Sequence, residues 1–277
     1  MIDALVSLLS GAPGGRPSWL RTLRIPPFHW WRTVFWLIPT IGLYTIVLGT
    51  LSVGSVLLGG RGSFAHACAR TWAWLILATT GVNVTAVGLD RLDRRRGYLF
   101  ISNHQSFYDI PVIFWYLPWD LRIIAKESLG SFPFIGWRLR RTGHVLVRRD
   151  RPGSAVFQQL ADMMKAGRSL IVFPEGTRSP DGRLGPFRVG IFRLAIEAGL
   201  DIVPVAVRGS RHVMPKNRLT TSPGQVTLQV FDPISTAGLE LEAARDLSDR
   251  VWRIVAAAVA GDEDAVPGRG AGAQAVS

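Results

Sequence analysis

One uncharged stretch near the N-terminus limits what this chain can fold into. Thr33 to Gly60 is a run of 28 residues without a charged side chain. About 20 apolar residues are enough for a helix to cross a bilayer, and buried helices of soluble domains are usually shorter. Three tryptophans, Trp30, Trp31 and Trp36, stand at its start, where aromatic residues favour a membrane interface. The run therefore predicts a membrane-associated helix, with a buried helix of a soluble domain as the alternative.

The charged residues around this run indicate whether it spans a membrane or inserts into one leaflet. The chain has a formal net charge of +12, which indicates an anionic partner. Arginines flank the run on both sides: Arg16, Arg21, Arg24 and Arg32 before it, Arg61 and Arg70 after it. One complete span would export one of these flanks, against the positive-inside tendency. Because Pro39 and three glycines also interrupt the run, we expect a broken helix or hairpin entering one leaflet, with a true span as the alternative.

Beyond Gly81, short apolar runs alternate with helical patterns. Strands are predicted at 82–87, 98–102, 121–125, 144–147, 169–173, 202–207 and 225–231, and helices at 106–116, 153–166, 188–199 and 238–260. This alternation predicts an α/β fold with a mixed, largely parallel sheet flanked by helices. The chain then divides into a basic N-terminal segment (1–30), a membrane-associated helical anchor (31–80), the α/β domain (81–260) and a disordered Gly/Ala-rich tail (261–277).

His104 has the most suggestive surroundings of the five histidines. It directly follows the predicted strand 98–102, and α/β sheets place their sites at the carboxyl ends of strands. Asp109 can reach His104 if the histidine lies in a turn and the aspartate in the first helical turn. Ser106 and Asp109 have the spacing of a capping box. The pair predicts a general base oriented by a carboxylate, and the alternative is a helix cap beside an ordinary turn.

A second polar block, Phe173-Pro-Glu-Gly-Thr-Arg-Ser179, follows the predicted strand 169–173. Gly176 would let a ligand approach the backbone closely, and Arg178 is suited to binding a phosphate. The alternative is a local salt bridge between Glu175 and Arg178. Either way, the block lies after a strand, as His104 does.

Further basic residues offer candidates for anion binding. Six arginines lie within residues 138–151, and Lys126 follows the predicted strand 121–125. Most of this charge is typical of a surface that lies over anionic lipid, and Lys126 has an ordinary surface lysine as its alternative. The single cysteine, Cys68, excludes an internal disulfide and a Cys-rich zinc site. We expect no metal and no bound cofactor, because the sequence has no Walker loop, no GxGxxG and no metal-ligand spacing.

Together these motifs resemble the glycerophospholipid acyltransferase family, in particular its 1-acyl-sn-glycerol-3-phosphate acyltransferase branch. The resemblance covers roughly residues 72–232 and rests on Asn103-His104-x4-Asp109, on the block 173–179 and on Val203-Pro-Val-Ala-Val207. Two further segments are similar to family blocks: Gly143 to Arg149, which ends in an arginine, and Ala125-Lys126-Glu127. The resemblance implies that 81–260 is an acyltransferase catalytic domain.

The resemblance also implies a reaction. An acyl chain would pass from acyl-CoA or acyl carrier protein, as co-substrate, to the sn-2 hydroxyl of 1-acyl-sn-glycerol-3-phosphate, giving phosphatidic acid. His104 would be the general base and Asp109 would orient it. The implied substrate-binding residues are Lys126, Arg149, Glu175, Gly176, Thr177 and Arg178. Arg148 stands beside Arg149, so either could bind the phosphate.

The implied partners are membrane phospholipids, lysophosphatidic acid and the acyl donor, without nucleic acid. The expected location is the cytoplasmic face of the cell membrane. Residues 1–10 lack the basic start of a secretory signal, so no cleaved signal peptide is predicted. Three other functions stay open. They are acylation of another lysolipid, thioester hydrolysis at a membrane, and non-enzymatic binding of anionic lipid.

Overall fold

The structure is a computed structural model, and it describes residues 28–58, 63–131, 136, 144–147, 154–179, 181–216 and 220–260. Arg148, Arg149 and the predicted tail 261–277 lie outside the described residues. So does most of the predicted N-terminal segment 1–30.

The uncharged run forms one continuous helical rod. Helix α1 (Phe28–Arg32) leads through a π-helical turn (Thr33–Leu37) into α2 (Ile38–Leu57). The wide turn lies directly before Pro39, whose ring would clash with a carbonyl of a regular preceding α-helical turn. The helix therefore continues through Pro39, and the expected break at this residue is wrong.

The chain reverses after α2 and returns as α3 (Ser63–Thr80). The Tyr44 hydroxyl lies 3.1 Å from the Thr79 hydroxyl, and the Trp72 indole N–H donates to the Thr45 hydroxyl at 3.0 Å. Arg32, at the start of the rod, contacts Thr80 at the end of α3, so the rod and α3 run antiparallel, as a helical hairpin. Polar bonds inside an apolar hairpin fix how the two helices are aligned, since apolar contacts alone are not directional.

A seven-stranded sheet forms the centre of the remaining chain. Its strands are β1 (Val82–Val87), β2 (Leu99–Ser102), β3 (Arg122–Lys126), β4 (Val145–Val147), β5 (Leu170–Val172), β6 (Ile202–Arg208) and β7 (Gly224–Val230). Their spatial order is β1-β7-β6-β2-β5-β3-β4, and every neighbouring pair is parallel except β6 with β7. The predicted mixed, largely parallel sheet is confirmed, with strand ends within one residue or two of the expected ones.

Helices cover both faces of this sheet. They are α4 (Asp109–Tyr116), α5 (Ser154–Lys165), α6 (Gly190–Ala198), the short α7 (Ser210–Val213) and α8 (Ala244–Ala260). Side chains alternate along each strand, so Phe100 of β2 packs with α3 and α4 while its neighbours Leu99 and Ile101 pack with α5, α6 and α8. Because both faces are buried, the central strands β2, β5 and β6 consist of apolar residues apart from Ser102 and Arg208 at their ends.

Candidate active site

Three neighbouring parallel strands bring the polar motifs to one edge of the sheet. β2 lies between β6 and β5 and runs parallel to both. Their carboxyl ends therefore share one edge, where His104 follows β2 and the segment 173–179 follows β5. The two motifs are 71 residues apart between His104 and Glu175, yet they touch directly.

His104 and Asp109 form a buried pair at this edge. The His104 Nδ1 lies 2.8 Å from the Asp109 Oδ2, and the Asp109 side chain is fully buried. The same oxygen accepts the backbone N–H groups of Gln105 at 2.8 Å and Ser106 at 2.9 Å. Since an ionised carboxylate only accepts hydrogen bonds, the imidazole carries its proton on Nδ1. Nε2 is then the nitrogen that can accept a proton from a substrate.

The capping box at this helix is only partly formed. Asp109 accepts the Ser106 N–H, as the box requires, but the Ser106 hydroxyl accepts the Tyr108 N–H at 3.2 Å. The α-helix begins at Asp109 rather than at the expected residue 106. The turn before Asp109 curves around one oxygen of the Asp109 carboxylate, and the helix begins where this turn ends.

An aromatic ring packs against the His104 imidazole, in addition to the hydrogen bond with Asp109. It stacks on Phe173, with the ring centroids 4.1 Å apart and an angle of 22° between the planes. The His104 side chain is only 8% exposed. The imidazole is therefore restrained in position and tautomer before any substrate binds, which is the condition for an effective general base.

Glu175 acts on the backbone that carries the histidine. One carboxylate oxygen accepts the His104 N–H at 2.8 Å, and the other accepts the Gly185 N–H at 3.0 Å. Burial raises the pKa of Glu175, and these two N–H groups oppose that rise because they stabilise the ionised form. No salt bridge joins Glu175 to Arg178 among the described residues, so the local ion pair considered as an alternative does not form.

Arg178 is brought to the histidine by its neighbour in the chain. The Ser179 N–H donates to the His104 carbonyl at 2.8 Å, which ties the two motifs together. The Arg178 guanidinium lies 3.8 Å from the centroid of the Phe107 ring and is half-buried. Burial lowers the pKa of Arg178, and the charge of Asp109 opposes that shift. A guanidinium stacked on an aromatic ring has most of its N–H groups free for an anion.

The glycine and threonine of the second motif form the exposed side of the loop. Gly176 has a φ of +74°, and a Cβ there would lie 2.8 Å from the Arg188 guanidinium carbon. The positive backbone angle favours glycine at this position, whereas the close contact is with the flexible end of the Arg188 side chain, which can move. Thr177 is exposed, and its hydroxyl lies 3.4 Å from the Lys216 ammonium.

Two residues support the site through contacts that the sequence analysis did not predict. The Lys216 ammonium donates to the Arg178 carbonyl at 2.6 Å across 38 residues of chain. No local motif marks it, so only the fold could reveal it. The Asn103 amide exchanges two bonds of 2.8 Å with the backbone of Val207 and so fixes the turn after β2 to β6. Its place beside His104 in the motif was the available signal.

The remaining predicted site residues are described only in part. Lys126 ends β3, whose carboxyl end lies at the same edge as His104, but its side chain lies outside the described part of the structure. Arg149 lies outside it entirely. The substrate-binding roles of these two residues stay predictions, as do the roles assigned to Glu175, Gly176, Thr177 and Arg178.

Comparison with known proteins points to a family of acyltransferases. The sequence profile of a family described as Acyltransferase matches residues 83–208, which include both motifs. A 1-acyl-sn-glycerol-3-phosphate acyltransferase of Cocos nucifera is 33% identical over 182 residues, covering 65% of this chain and 57% of the relative. A protein of the same name from Saccharomyces cerevisiae is 29% identical over 215 residues, covering 76% of this chain and 70% of the relative.

A solved structure shares the architecture. The crystal structure of the 1-acyl-sn-glycerophosphate acyltransferase PlsC from Thermotoga maritima is similar to it with a TM-score of 0.71 at 26% identity. The match covers 86% of this chain and 98% of that one. By contrast, the chain spans only 57%, 51% and 55% of the length of three curated plant and algal relatives that it matches.

Proposed function

We infer that this chain belongs to the acyltransferase family that includes the 1-acyl-sn-glycerol-3-phosphate acyltransferases, and we propose that it acylates the sn-2 hydroxyl of 1-acyl-sn-glycerol-3-phosphate. The buried His104–Asp109 pair carries this proposal. It supplies a histidine with a fixed tautomer at the edge where Arg178, a cation able to bind a phosphate, also lies. The names of the similar proteins supply the acceptor.

The reaction follows from the orientation of the imidazole. His104 Nε2 removes the proton of the acceptor hydroxyl while that oxygen attacks the thioester carbonyl carbon. The new C–O bond forms, the tetrahedral intermediate collapses, and the C–S bond breaks. The departing thiolate takes the proton back from the imidazolium, so the products are an ester and a free thiol. Asp109 stabilises the imidazolium that exists between the two proton transfers.

The acceptor phosphate is assigned to the basic residues of the same edge. Arg178, whose guanidinium N–H groups have no hydrogen-bond partner among the described residues, is the described candidate, and Lys216 holds the carbonyl of that residue in place. We assign Lys126 and Arg149 to the same phosphate. Gly176 and Thr177 offer backbone and hydroxyl groups on the exposed side of the loop, and the donor is acyl-CoA or acyl carrier protein.

The proposed function is tested by product analysis. Purified protein receives labelled oleoyl-CoA with 1-acyl-glycerol-3-phosphate, with lysophosphatidylcholine, with lysophosphatidylethanolamine, or with no acceptor. We expect labelled phosphatidic acid from the first mixture alone. Free labelled fatty acid without an acceptor would instead indicate a thioesterase. An absence of turnover, together with binding to anionic vesicles, would indicate a lipid-binding protein. Repeating the assay with oleoyl-acyl carrier protein identifies the preferred donor.

Replacing Arg178 should weaken acceptor binding. A charge-assisted contact to phosphate contributes about 1.5–3 kcal/mol, so Arg178→Ala should raise KM for the lysolipid roughly tenfold or more. KM for acyl-CoA should change much less. Steady-state kinetics with each substrate varied in turn measures both constants. Arg183→Ala is the matched control, since it removes the same charge from an exposed position in the following loop. A change confined to the donor KM would show that Arg178 faces the donor.

We further propose that the N-terminal hairpin holds the site at a membrane surface. Within the described residues, one helix, Trp30–Ser55, is long and apolar enough to cross a membrane, and only 11% of its most apolar stretch is buried. Its outer side exposes Phe35 (65%), Trp36 (62%) and Leu43 (59%). Its inner side is bonded to α3, and α3 in turn contributes Ala73 and Ile76 to the core. A helix with one face bound to the catalytic domain fits insertion into one leaflet better than a span surrounded by lipid.

Cysteine labelling distinguishes this monotopic arrangement from a span. In a Cys68→Ala background, single cysteines are placed by Ser18→Cys, before the hairpin, and by Asp90→Cys, at an exposed position after it. We expect an impermeant maleimide to label both from the same side of intact cells or inverted vesicles. Labelling from opposite sides would establish a true span.

A further inference from the structure

The start of the apolar rod carries a polar pair that faces the protein. Arg32 and Thr33 stand at the junction of α1 with the π-helical turn, next to the exposed Phe35 and Trp36. Thr33 is 3% exposed, and its hydroxyl accepts the backbone N–H of Thr221 at 3.1 Å. The polar side of the rod is therefore docked on the catalytic domain while its apolar side is exposed.

Arg32 joins two segments that the sequence keeps far apart. Its guanidinium donates to the Thr80 carbonyl at 3.3 Å and to the Thr221 carbonyl at 3.4 Å. Thr80 is the last residue of α3, where free helix carbonyls attract a cation. No carboxylate forms a salt bridge with Arg32 in the described part of the chain. Its charge is thus directed at carbonyl groups rather than neutralised by an acid.

The third partner at this junction is Tyr108, the residue directly before Asp109. Its side chain is 4% exposed, and its hydroxyl interacts with the side chains of Thr80 and Thr221. Burial raises the pKa of Tyr108, whereas the two threonines and the charge of Arg32 act against that rise. Arg32 and Tyr108 therefore share the same two threonines as neighbours.

Tyr108 is in turn part of the turn that holds the base. Its N–H is bound by the Ser106 hydroxyl, and the Ser106 N–H is bound by Asp109. A shift of Tyr108 would move the carboxylate that orients His104. Displacements of about 1 Å at a reacting group can cost on the order of 10²-fold in rate, so this linkage matters to catalysis.

We propose that Arg32 is a positioning residue, which holds Tyr108 and the turn 103–109 in their productive arrangement through Thr80 and Thr221. The inference rests on the proposed function for its kinetic consequence, but not for its structural one. It assigns to the first turns of the apolar rod a second role, in aligning the catalytic pair, beside any role in membrane binding.

The kinetic test compares Arg32→Met with Tyr108→Phe, which removes only the phenolic hydroxyl. We expect each to lower kcat roughly tenfold while KM for both substrates changes by less than about twofold. The double variant should be little worse than either single one, because both act through one network.

Arg32→Lys should recover part of the loss of kcat, since an ammonium can still reach one carbonyl. Thr45→Val is the matched control, because it removes the hairpin bond to Trp72, eight residues before Thr80, and its kcat should stay near wild type.

A second readout does not depend on turnover. Hydrogen exchange followed by mass spectrometry should show faster exchange in peptides covering 103–109 in Arg32→Met, and unchanged exchange in peptides from β6. Wild-type kcat and exchange in Arg32→Met would overturn the proposal, and so would purely additive losses in the double variant. Failure of the wild-type protein to acylate the lysolipid, with the expected change in exchange, would count against the proposed function alone.

Discussion

We expect His104→Ala to abolish most of the acyltransferase turnover. A positioned general base contributes typically about 10²–10⁴-fold to a rate, which corresponds to ~2.7–5.5 kcal/mol of barrier. The variant should remain folded, because the bonds that hold this turn use the His104 backbone, whose N–H binds Glu175 and whose carbonyl binds Ser179. Initial rates at saturating substrate and a thermal melting curve measure the two effects separately.

The histidine control is His66→Ala. His66 pairs with Asp120 at 3.7 Å, and Asp120 precedes β3 at the opposite, amino-end edge of the sheet. Its replacement should leave kcat near the wild-type value. Wild-type turnover in a folded His104→Ala protein would end the mechanism proposed above, however well the other residues fit it.

The second large effect is expected for Asp109→Asn. The backbone N–H groups of Gln105 and Ser106 both point at the same Asp109 oxygen, so they should orient the asparagine with its carbonyl oxygen in that place. The amide would still accept the Nδ1–H of His104, and the tautomer should be preserved. The variant would then lack only the negative charge that stabilises the imidazolium. We expect kcat to fall about 10²–10³-fold through this loss of electrostatic stabilisation, measured at saturating substrate.

The stability of Asp109→Asn separates a catalytic role from a structural one. The other oxygen of Asp109 is buried and has no hydrogen-bond partner in the described part of the chain. An amide NH₂ in its place costs about 1–3 kcal/mol if it also lacks a partner, and removal of a buried charge offsets part of that cost. We therefore expect a folded protein with a slightly changed melting temperature. If Asp109 only capped its helix, the variant would turn over at nearly the wild-type rate, since asparagine caps helices well.

The features of this fold that can be predicted from the sequence are those that depend on residues close together in the chain. The strands 99–102 and 202–208 are predictable because residues buried on both faces of a sheet must be apolar almost without interruption. The apolar helix α2 is predictable because exposing a run of 28 uncharged residues to water is unfavourable. Its continuity through Pro39 was missed, since a single π-helical turn leaves no mark in the hydrophobic pattern.

The candidate site also combines residues that a local pattern predicts with contacts that only the fold creates. His104, Asp109 and the block 173–179 were found because their spacing is local and each follows a strand. That Glu175 binds the His104 backbone was not predictable, because the 71 residues between them place no constraint on their distance. The same holds for Lys216 on Arg178 and for Arg32 near Tyr108.

The order of the amino acids alone is enough to predict which segments are strands, which helix is apolar, and which side chains can do acid–base chemistry. Those properties depend on side-chain chemistry and on periods of two to four residues. Which polar groups meet depends on the fold, because the parallel order of β6, β2 and β5 brings their carboxyl ends to one edge whatever their separation in the chain. The supporting contacts of Glu175 and Lys216 exist because that edge is shared, and hydrogen bonds between distant segments leave no periodic signal in a sequence.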